Sequence, residues 1–268
     1  MTSSLGGVQV LNKANSLLQV LATRGPQTAV ELARETGEPR TTIYRLLATL
    51  QPMGWVEETP RRGRYALGLQ LVQLGRAAVE QELERRVALP ALRALRNETG
   101  LTVYLTVLRG LRAVCVERIH GREVLAFGLQ FGGTLPLHAG AGPNVLLAFA
   151  DPATRQRWRD SVRERGEAVA LTPRTPRTLG ELDALIKRVR SDGYAVSSES
   201  NTVGIAAIGA PVLDEQDCCL AAVSLAGLPD DVLSPRHQPT LIGQVQRAAE
   251  RISIALAPTR AKVRQGAP

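Results

Sequence analysis

Hydrophobic positions fall into helical stripes near the amino end of the chain and into alternating runs further along it. Ile43, Leu46, Leu47 and Leu50 recur at i, i+3, i+4 and i+7, which predicts a helix over Pro39 to Gln51 with one face turned to a core. Pro39 suits the first helical turn, where its missing N–H costs nothing, and Gln51-Pro52 ends the run. The opposite face carries Arg40, Thr41, Thr42, Tyr44, Arg45 and Ala48. Short hydroxyls, a small residue and long cations suit close approach to a polyanion better than bulk solvation.

Upstream, Thr28-Ala-Val-Glu31 reads as a capping box, opening a short helix with Val30, Leu32 and Ala33 as its apolar positions and Thr36-Gly37 as its end. Gly37-Glu38-Pro39 then joins two short helices, as in a helix-turn-helix. Ahead of both, Val10, Leu11, Ala14, Leu17, Leu18 and Leu21 form a stripe that stops at Arg24-Gly25-Pro26 and predicts a helix packed behind the pair. Downstream, Trp55-Val56-Glu57 and Arg64-Tyr65-Ala66-Leu67 read as strands around Thr59-Pro60-Arg61-Arg62-Gly63. That hairpin is a wing, with Arg61, Arg62 and Arg64 where flanking phosphates would lie.

An amphipathic helix with arginines is ordinarily a solvated surface helix. A capped helix, a cationic helix and a basic hairpin following one another within about forty residues point instead to a DNA-binding winged helix, with Thr28, Arg40, Thr41, Thr42, Tyr44, Arg45, Arg61, Arg62 and Arg64 as its candidate contacts.

After Gly68, Leu69, Val72, Ala77 and Ala78 lead into the charged stretch Glu80 to Arg86, too poor in apolar surface to belong to a core. The expected division is a winged helix-turn-helix domain over 1–68, a linker helix over 69–86, a second domain over 87–258 and a disordered basic tail over 259–268. In the second domain, Leu89, Leu92 and Leu95 predict a helix ending at Asn97 to Gly100. Leu101 to Leu108, Arg112 to Ile119 and Val124 to Phe131 then predict an antiparallel meander. Asn144 to Phe149 looks helical, Asp151-Pro152 opens a polar helix to about Gly166, and Thr178-Leu-Gly-Glu181 is a second capping box whose helix closes at Asp192-Gly193. Strands over Gly204 to Leu213 and Cys219 to Ala226 follow, then a helix capped at Ser234-Pro235 with Leu241, Val245, Ala248, Ile252 and Leu256 as its stripe. The order gives an α+β domain of roughly 170 residues with helices against one antiparallel sheet. Glycine-rich junctions from Gly128 to Gly142 sit beside a helix start; they serve as turns, or they leave N–H groups free to meet a carboxylate.

The chain has 268 residues, with 33 Lys+Arg against 25 Asp+Glu and a formal net charge of +8. That excess suits a polyanionic partner, and 3% aromatics disfavours stacking platforms for single strands, so double-stranded DNA fits better. No apolar run approaches the roughly eighteen residues that span a bilayer, and Met1 to Gly7 lacks a secretory pattern, so a cytoplasmic protein is expected. Cys115, Cys218 and Cys219 have no metal-ligand spacing and are expected to be packing residues; no cofactor or metal is called for. A rival of another class is an enzyme using Cys218 or Cys219 with His138 or His237. It lacks any Gly-x-Ser-x-Gly elbow, phosphate loop or His-Glu-x-x-His pair.

With these residues in view, the chain resembles the IclR family of bacterial transcriptional regulators over nearly its whole length. The resemblance rests on seven stretches in the family order. They are Leu17-Leu18-x-x-Leu21, the Thr28 to Gly37 and Arg40 to Leu50 pair, Gly63-Arg-Tyr-x-Leu-Gly68, Leu135-Pro-Leu-His-Ala139 before Leu146-Leu-Ala148, Asp192-Gly-Tyr-Ala195, Gly204 through Ala210-Pro-Val212, and Val223-Ser-Leu-Ala-Gly227. It implies an N-terminal winged helix-turn-helix, a linker helix, a GAF-like domain for a small-molecule effector, and dimers or tetramers on palindromic operators. The effector pocket it implies falls on Leu129, Ala141, Gly142, Ser197, Ile205, Ala207, Ser224 and Ala226. Pro143-Asn144 stands where the family often has Gly-Lys, an acidic residue common near Ser197 is absent, Ala207 replaces a frequent cysteine and Ala226 a serine. Each exchange removes a polar group or charge, so a larger or more apolar effector than a small, highly charged acid is expected, or in the limit an effector-independent regulator. Repressor and activator both remain open.

Overall fold

The computed structural model describes residues 9–80, 83–122 and 129–265, which form two compact units, Met1–Gln81 and Glu82–Pro268. The division falls inside the segment expected to be a linker.

The first unit runs α1 (Gln9–Arg24), β1 (Gln27–Thr28), α2 (Ala29–Thr36), α3 (Arg40–Leu50), β2 (Val56–Glu58), β3 (Arg64–Leu67) and α4 (Gln70–Glu80). Its core joins Leu17 and Leu21 of α1, Ala29 and Leu32 of α2, the Ile43, Leu46, Leu47, Leu50 stripe of α3, and Val56. The capping box at Thr28 forms as expected, and Gly37 takes the left-handed conformation (φ +71°) that ends α2. Two features differ from the sequence reading. Val10 and Leu11 of α1 and Val30 of α2 are 50%, 66% and 47% exposed, because they lie outside the helix faces that pack into this core. The two-residue β1 joins β3 in the order β1-β3-β2, so the wing is rooted in the body of the unit; a pairing this short leaves no periodic signal.

The second unit runs α5 (Leu83–Thr99), β4 (Thr102–Arg109), β5 (Arg112–Ile119), β6 (Thr134–Pro136), α6 (Ala141–Ala148), α7 (Pro152–Arg165), α8 (Leu179–Asp192), β7 (Ala195–Ser198), β8 (Ala206–Leu213), β9 (Cys219–Gly227), α9 (Pro229–Val232) and α10 (Gln238–Gln265). Among the described residues the strands pair antiparallel in the order β6-β5-β4-β9-β8-β7. Strand alternation sorts side chains to two faces. Val103, Leu105, Val107, Ile208, Val223 and Leu225 meet Leu92 and Leu95 of α5 and Leu241, Val245, Ile252 and Leu256 of α10. Behind the other face, α6 packs with Trp158 and Val162 of α7 and Leu182, Leu185 and Val189 of α8. The result is a sheet with helices on both sides.

Of the strand expected over Val124 to Phe131, residues 123–128 lie outside the described residues and 129–131 are not strand; the partner of β5 is Thr134–Pro136. Ala195–Ser198 adds an edge strand that its short, polar sequence did not signal. Ser234 does not cap α10. Its carbonyl accepts from His237 and Gln238 in a turn, and the helix starts at Gln238. The helical backbone also runs through Pro258 to Gln265, where a disordered tail from 259 was expected; Ala, Arg, Lys and Gln are good helix formers and no glycine intervenes before Gly266. No helix of the described residues is long and apolar enough to cross a membrane.

Candidate functional site

Two surfaces hold the residues singled out from the sequence. The first is the outer face of α3. With Ile43, Leu46, Leu47 and Leu50 buried, helical geometry turns Arg40, Thr41, Tyr44 and Arg45 outward, Tyr44 at 54% exposure, while Thr42 lies half-buried at the edge. The nearby carboxylates are engaged elsewhere. Glu38 binds Lys13 at 2.7 Å, Glu35 binds Arg24 at 2.8 Å and Arg34 at 3.3 Å, and Glu31 serves the cap and Arg64. Helix α3 has no acidic residue, and among the described residues Arg40, Arg45, Arg61 and Arg62 have no ion-pair partner. The face is therefore an uncompensated cationic and hydroxylic strip.

At the wing, Arg61 and Arg62 are exposed in the turn between β2 and β3. The turn is closed by the Gly63 N–H donating to Glu58 Oε1 at 2.7 Å and by the Thr59 hydroxyl donating to the Arg61 carbonyl at 3.0 Å. Gly63 sits at φ +77°, a conformation that favours glycine. Two of the candidate contacts are differently employed. Arg64 is half-buried, donates to the Pro26 carbonyl at 2.7 Å and pairs with Glu31 at 3.3 Å, so it fastens the wing to the body. The Thr28 hydroxyl donates to Glu31 Oε2 and accepts from the Glu31 N–H, so it is consumed by the cap. Hydrogen bonds from the Thr28 N–H and hydroxyl, and then the Arg64 and Arg34 charges, hold the Glu31 carboxyl below its ordinary value.

The second surface is a cavity of about 60 Å³ in the second unit, between the sheet and the start of α6. All eight residues proposed for a pocket line it: Leu129, Ala141, Gly142, Ser197, Ile205, Ala207, Ser224 and Ala226. Sequence reading missed Tyr104, Thr106, Asn201 and Thr202 among the other residues that line it, while Pro143 had entered only as an exchange beside it. Tyr104 and Thr106 were already placed on one face of an expected strand. What the sequence lacked was knowledge of which face meets α6.

Helix α6 begins three residues earlier than the apolar run from Asn144 implied, and Gly140 precedes it at φ +99°. Gly209 on β8 allows this close approach, since a Cβ there would lie 3.1 Å from the Ala141 carbonyl carbon. The first-turn N–H groups of Ala141 and Gly142 have no partner among the described residues, and Pro143 has none to offer. The Gly140 N–H donates to Ser200 Oγ at 3.0 Å, and that hydroxyl is 2.7 Å from Ser197 Oγ. Among the described residues no charged side chain lines the cavity. Glu199, two positions from Ser197, spends its carboxylate on Arg174 at 2.6 Å and on the Gly204 N–H at 2.7 Å. Asn144 is buried outside the lining.

The cysteines behave as two packed thiols and one exposed one. Burial pushes Cys115 and Cys219 up to about 12, leaving them as thiols at neutral pH. Cys218 is exposed and is not a packing residue, because it lies in the turn between β8 and β9 ahead of the first paired residue of β9. His138 is buried against Trp158 with Nε2 2.9 Å from the Val169 carbonyl, and burial lowers its pKa. Among the described residues no cysteine hydrogen-bonds to a histidine, and no cluster of three metal-ligating side chains occurs.

Known proteins match both units. The IclR helix-turn-helix domain matches residues 10–60, and the bacterial transcriptional regulator IclR C-terminal domain matches residues 76–254. The HTH-type transcriptional regulator XynR of Escherichia coli K12 is 29% identical over 253 residues, covering 93% of this chain and 97% of that protein. The transcriptional repressor IclR of the same organism is 27% identical over 255 residues, covering 93% and 90%. The crystal structure of an IclR transcriptional regulator from Alicyclobacillus acidocaldarius superimposes with a TM-score of 0.77 at 26% identity, covering 93% of this chain and 99% of that one. With a DNA-binding helix-turn-helix unit followed by the matching C-terminal domain, the chain belongs to the IclR family of bacterial transcriptional regulators.

Proposed function

We propose that α3 is the recognition helix, laying Arg40, Thr41, Thr42, Tyr44 and Arg45 against base edges and adjacent phosphates in the major groove while Arg61 and Arg62 hold the wing on the flanking backbone. The observation that carries this reading is the outward strip of α3, cationic and hydroxylic, whose neighbouring carboxylates are all bound to other groups. Arg64 and Thr28 contribute by holding the wing and α2 in place. One such surface contacts too little DNA for tight binding, so a symmetric dimer presents two of them, spaced by one helical turn or a multiple of it, to a palindromic operator.

The cavity beside α6 is the effector site. Its polar groups include the N–H groups of Ala141 and Gly142, the hydroxyls of Tyr104, Thr106, Ser197 and Ser224, and Asn201 and Thr202, set in apolar walls of Leu129, Ile205, Ala207 and Ala226. These can satisfy one carboxylate or a neutral acceptor, and nothing in the lining offsets the desolvation of a second charge. The effector is a small organic molecule of at most one negative charge, which shifts operator affinity by preferring one of two quaternary states, a coupling of about 1–3 kcal/mol. The unpartnered groups lining the cavity favour this over an effector-independent regulator. The protein acts as a regulator and not as an enzyme: burial holds Cys219 as a thiol, and Cys218 and Cys219 contact backbone carbonyls of Gln216 and Ala221 rather than a histidine base.

Genome-wide footprinting of the purified protein over a range of salt concentrations tests the reading. Protected, palindromic duplex sites whose affinity falls steeply with salt are expected. Failure to protect any site would overturn it.

A further inference from the structure

On the cavity side of β4 and β9, two largely buried residues carry hydroxyls that no described protein group engages. Tyr104 is 5% exposed and Ser224 6% exposed. They are partners in the β4–β9 register, and both line the cavity. Among the described residues neither hydroxyl has a hydrogen-bond partner. Both hydroxyls open onto the cavity with no described protein group bonded to them, so they are available to a molecule bound there.

The two side chains have different surroundings. A Cβ on Gly142 would come 3.3 Å from Ser224 Oγ and 2.9 Å from Thr106 Oγ1, so these hydroxyls stand beside the free N–H groups at the start of α6. The Tyr104 ring packs instead with Cys115 and Ala226 and against Leu129, Ile205 and Ala207. The Arg118 guanidinium carbon, 5.7 Å from the ring centroid, holds the ring from the neighbouring strand. Tyr104 and Thr106 are two positions apart on β4, roughly 6.6 Å along the strand. The cavity thus has polar groups where α6 begins and, along its apolar wall, a single phenol. Burial raises the phenol's pKa, so it remains protonated and donates at neutral pH.

We propose that Tyr104 is the specificity-determining residue of this cavity, its hydroxyl donating to a hydroxyl or carbonyl oxygen at one end of a short bifunctional organic acid whose carboxylate lies against α6. The inference rests on the cavity being the effector site. A monofunctional acid of the same length would leave the phenol unpaired and would bind less well, whereas its hydroxy analogue would satisfy both ends.

Calorimetric titration of the full-length protein with valerate and with δ-hydroxyvalerate, for the wild type and Tyr104→Phe, tests this. The wild type is expected to bind the hydroxy acid about tenfold more tightly than valerate, and Tyr104→Phe to bring the ratio to about one by weakening the hydroxy acid alone. Because the hydroxyl has no partner in the empty protein, the unfolding midpoint of Tyr104→Phe should not fall; a fall would show a structural partner and overturn the proposal. Valerate binding with no wild-type preference, or a preference that survives in Tyr104→Phe, would remove the role of Tyr104 and leave the effector site standing. Binding of neither acid at millimolar concentration would overturn the effector site and the proposal together.

Discussion

Arg64 Nη2 lies 3.3 Å from Glu31 Oε1, and this contact ties the root of the wing to α2, the helix that precedes α3. The same guanidinium donates to the Pro26 carbonyl at 2.7 Å, and Thr28 and Arg64 face each other in the β1–β3 register. A residue that reads in sequence as a phosphate contact is therefore a clamp. Arg64→Ala is expected to lower the unfolding midpoint of the protein and to weaken all duplexes alike. Arg61→Ala and Arg62→Ala should leave the midpoint unchanged and each reduce the slope of log affinity against log salt by about 0.9. Thermal unfolding alongside salt-dependent binding distinguishes the two classes, and an unchanged midpoint in Arg64→Ala would reject the clamp.

Acid sensitivity should follow Glu31 and Glu181, the two carboxylates of the capping boxes. Hydrogen bonds from Thr28 and from Thr178 respectively hold each folded-state pKa below the ordinary value of 4.5. A lowered folded pKa means that the folded state binds the proton less readily than the unfolded chain. The stabilisation is thus present above about pH 4.5 and is lost as the pH falls through the lower folded value. Glu31→Gln and Glu181→Gln should each flatten the acid limb of a stability-against-pH curve without altering its course at neutral pH; an acid limb identical to wild type would show that these carboxylates do not contribute.

Arg45 on the outer face of α3 should discriminate bases. If it grips a guanine, Arg45→Ala costs about 1–3 kcal/mol on the cognate operator and relaxes discrimination at one position per half-site. A gel-shift series in which cognate and scrambled operators keep their wild-type ratio would refute base reading and leave Arg45 with a phosphate.

Gly142→Ala places a methyl group where Thr106 Oγ1 and Ser224 Oγ are 2.9 Å and 3.3 Å away, filling the donor-rich end of the cavity. The 2.9 Å approach to the buried Thr106 side chain forces a local shift, so the unfolding midpoint should fall as well. The thermal stabilisation produced by short aliphatic carboxylates should drop at least about tenfold in apparent affinity, while operator binding without effector stays at the wild-type level. Retained response would place the ligand away from α6.

Local periodicity was enough for the helices of the first unit and for most of the second. The Ile43 to Leu50 stripe, both capping boxes and the alternation in Leu101 to Leu108 each carry their signal within a few residues, because propensity, capping and facing are local. The resemblance over motif order likewise placed eight residues that do meet around one cavity. Residue type, however, cannot say whether a side chain is already engaged. Arg64 and Thr28 have the chemistry of DNA contacts, and only the approach of β1 to β3 shows that they are spent on Pro26 and Glu31.

The same limit governs the cavity. That Leu101 to Leu108 is a strand with two faces was legible in the chain, as was the helix after the glycine-rich junction. That Tyr104 and Thr106 occupy the face that meets α6, that Gly209 lets the helix come close, and that Ser197, Ser200 and Gly140 share hydrogen bonds are products of strands brought together from far apart. The amino-acid order determines which groups each segment can offer, since hydrophobic spacing and caps act over a turn or two. Which of those groups remain unsatisfied, and hence free to meet DNA or a ligand, is decided only when the packed fold assigns every other donor and acceptor its partner.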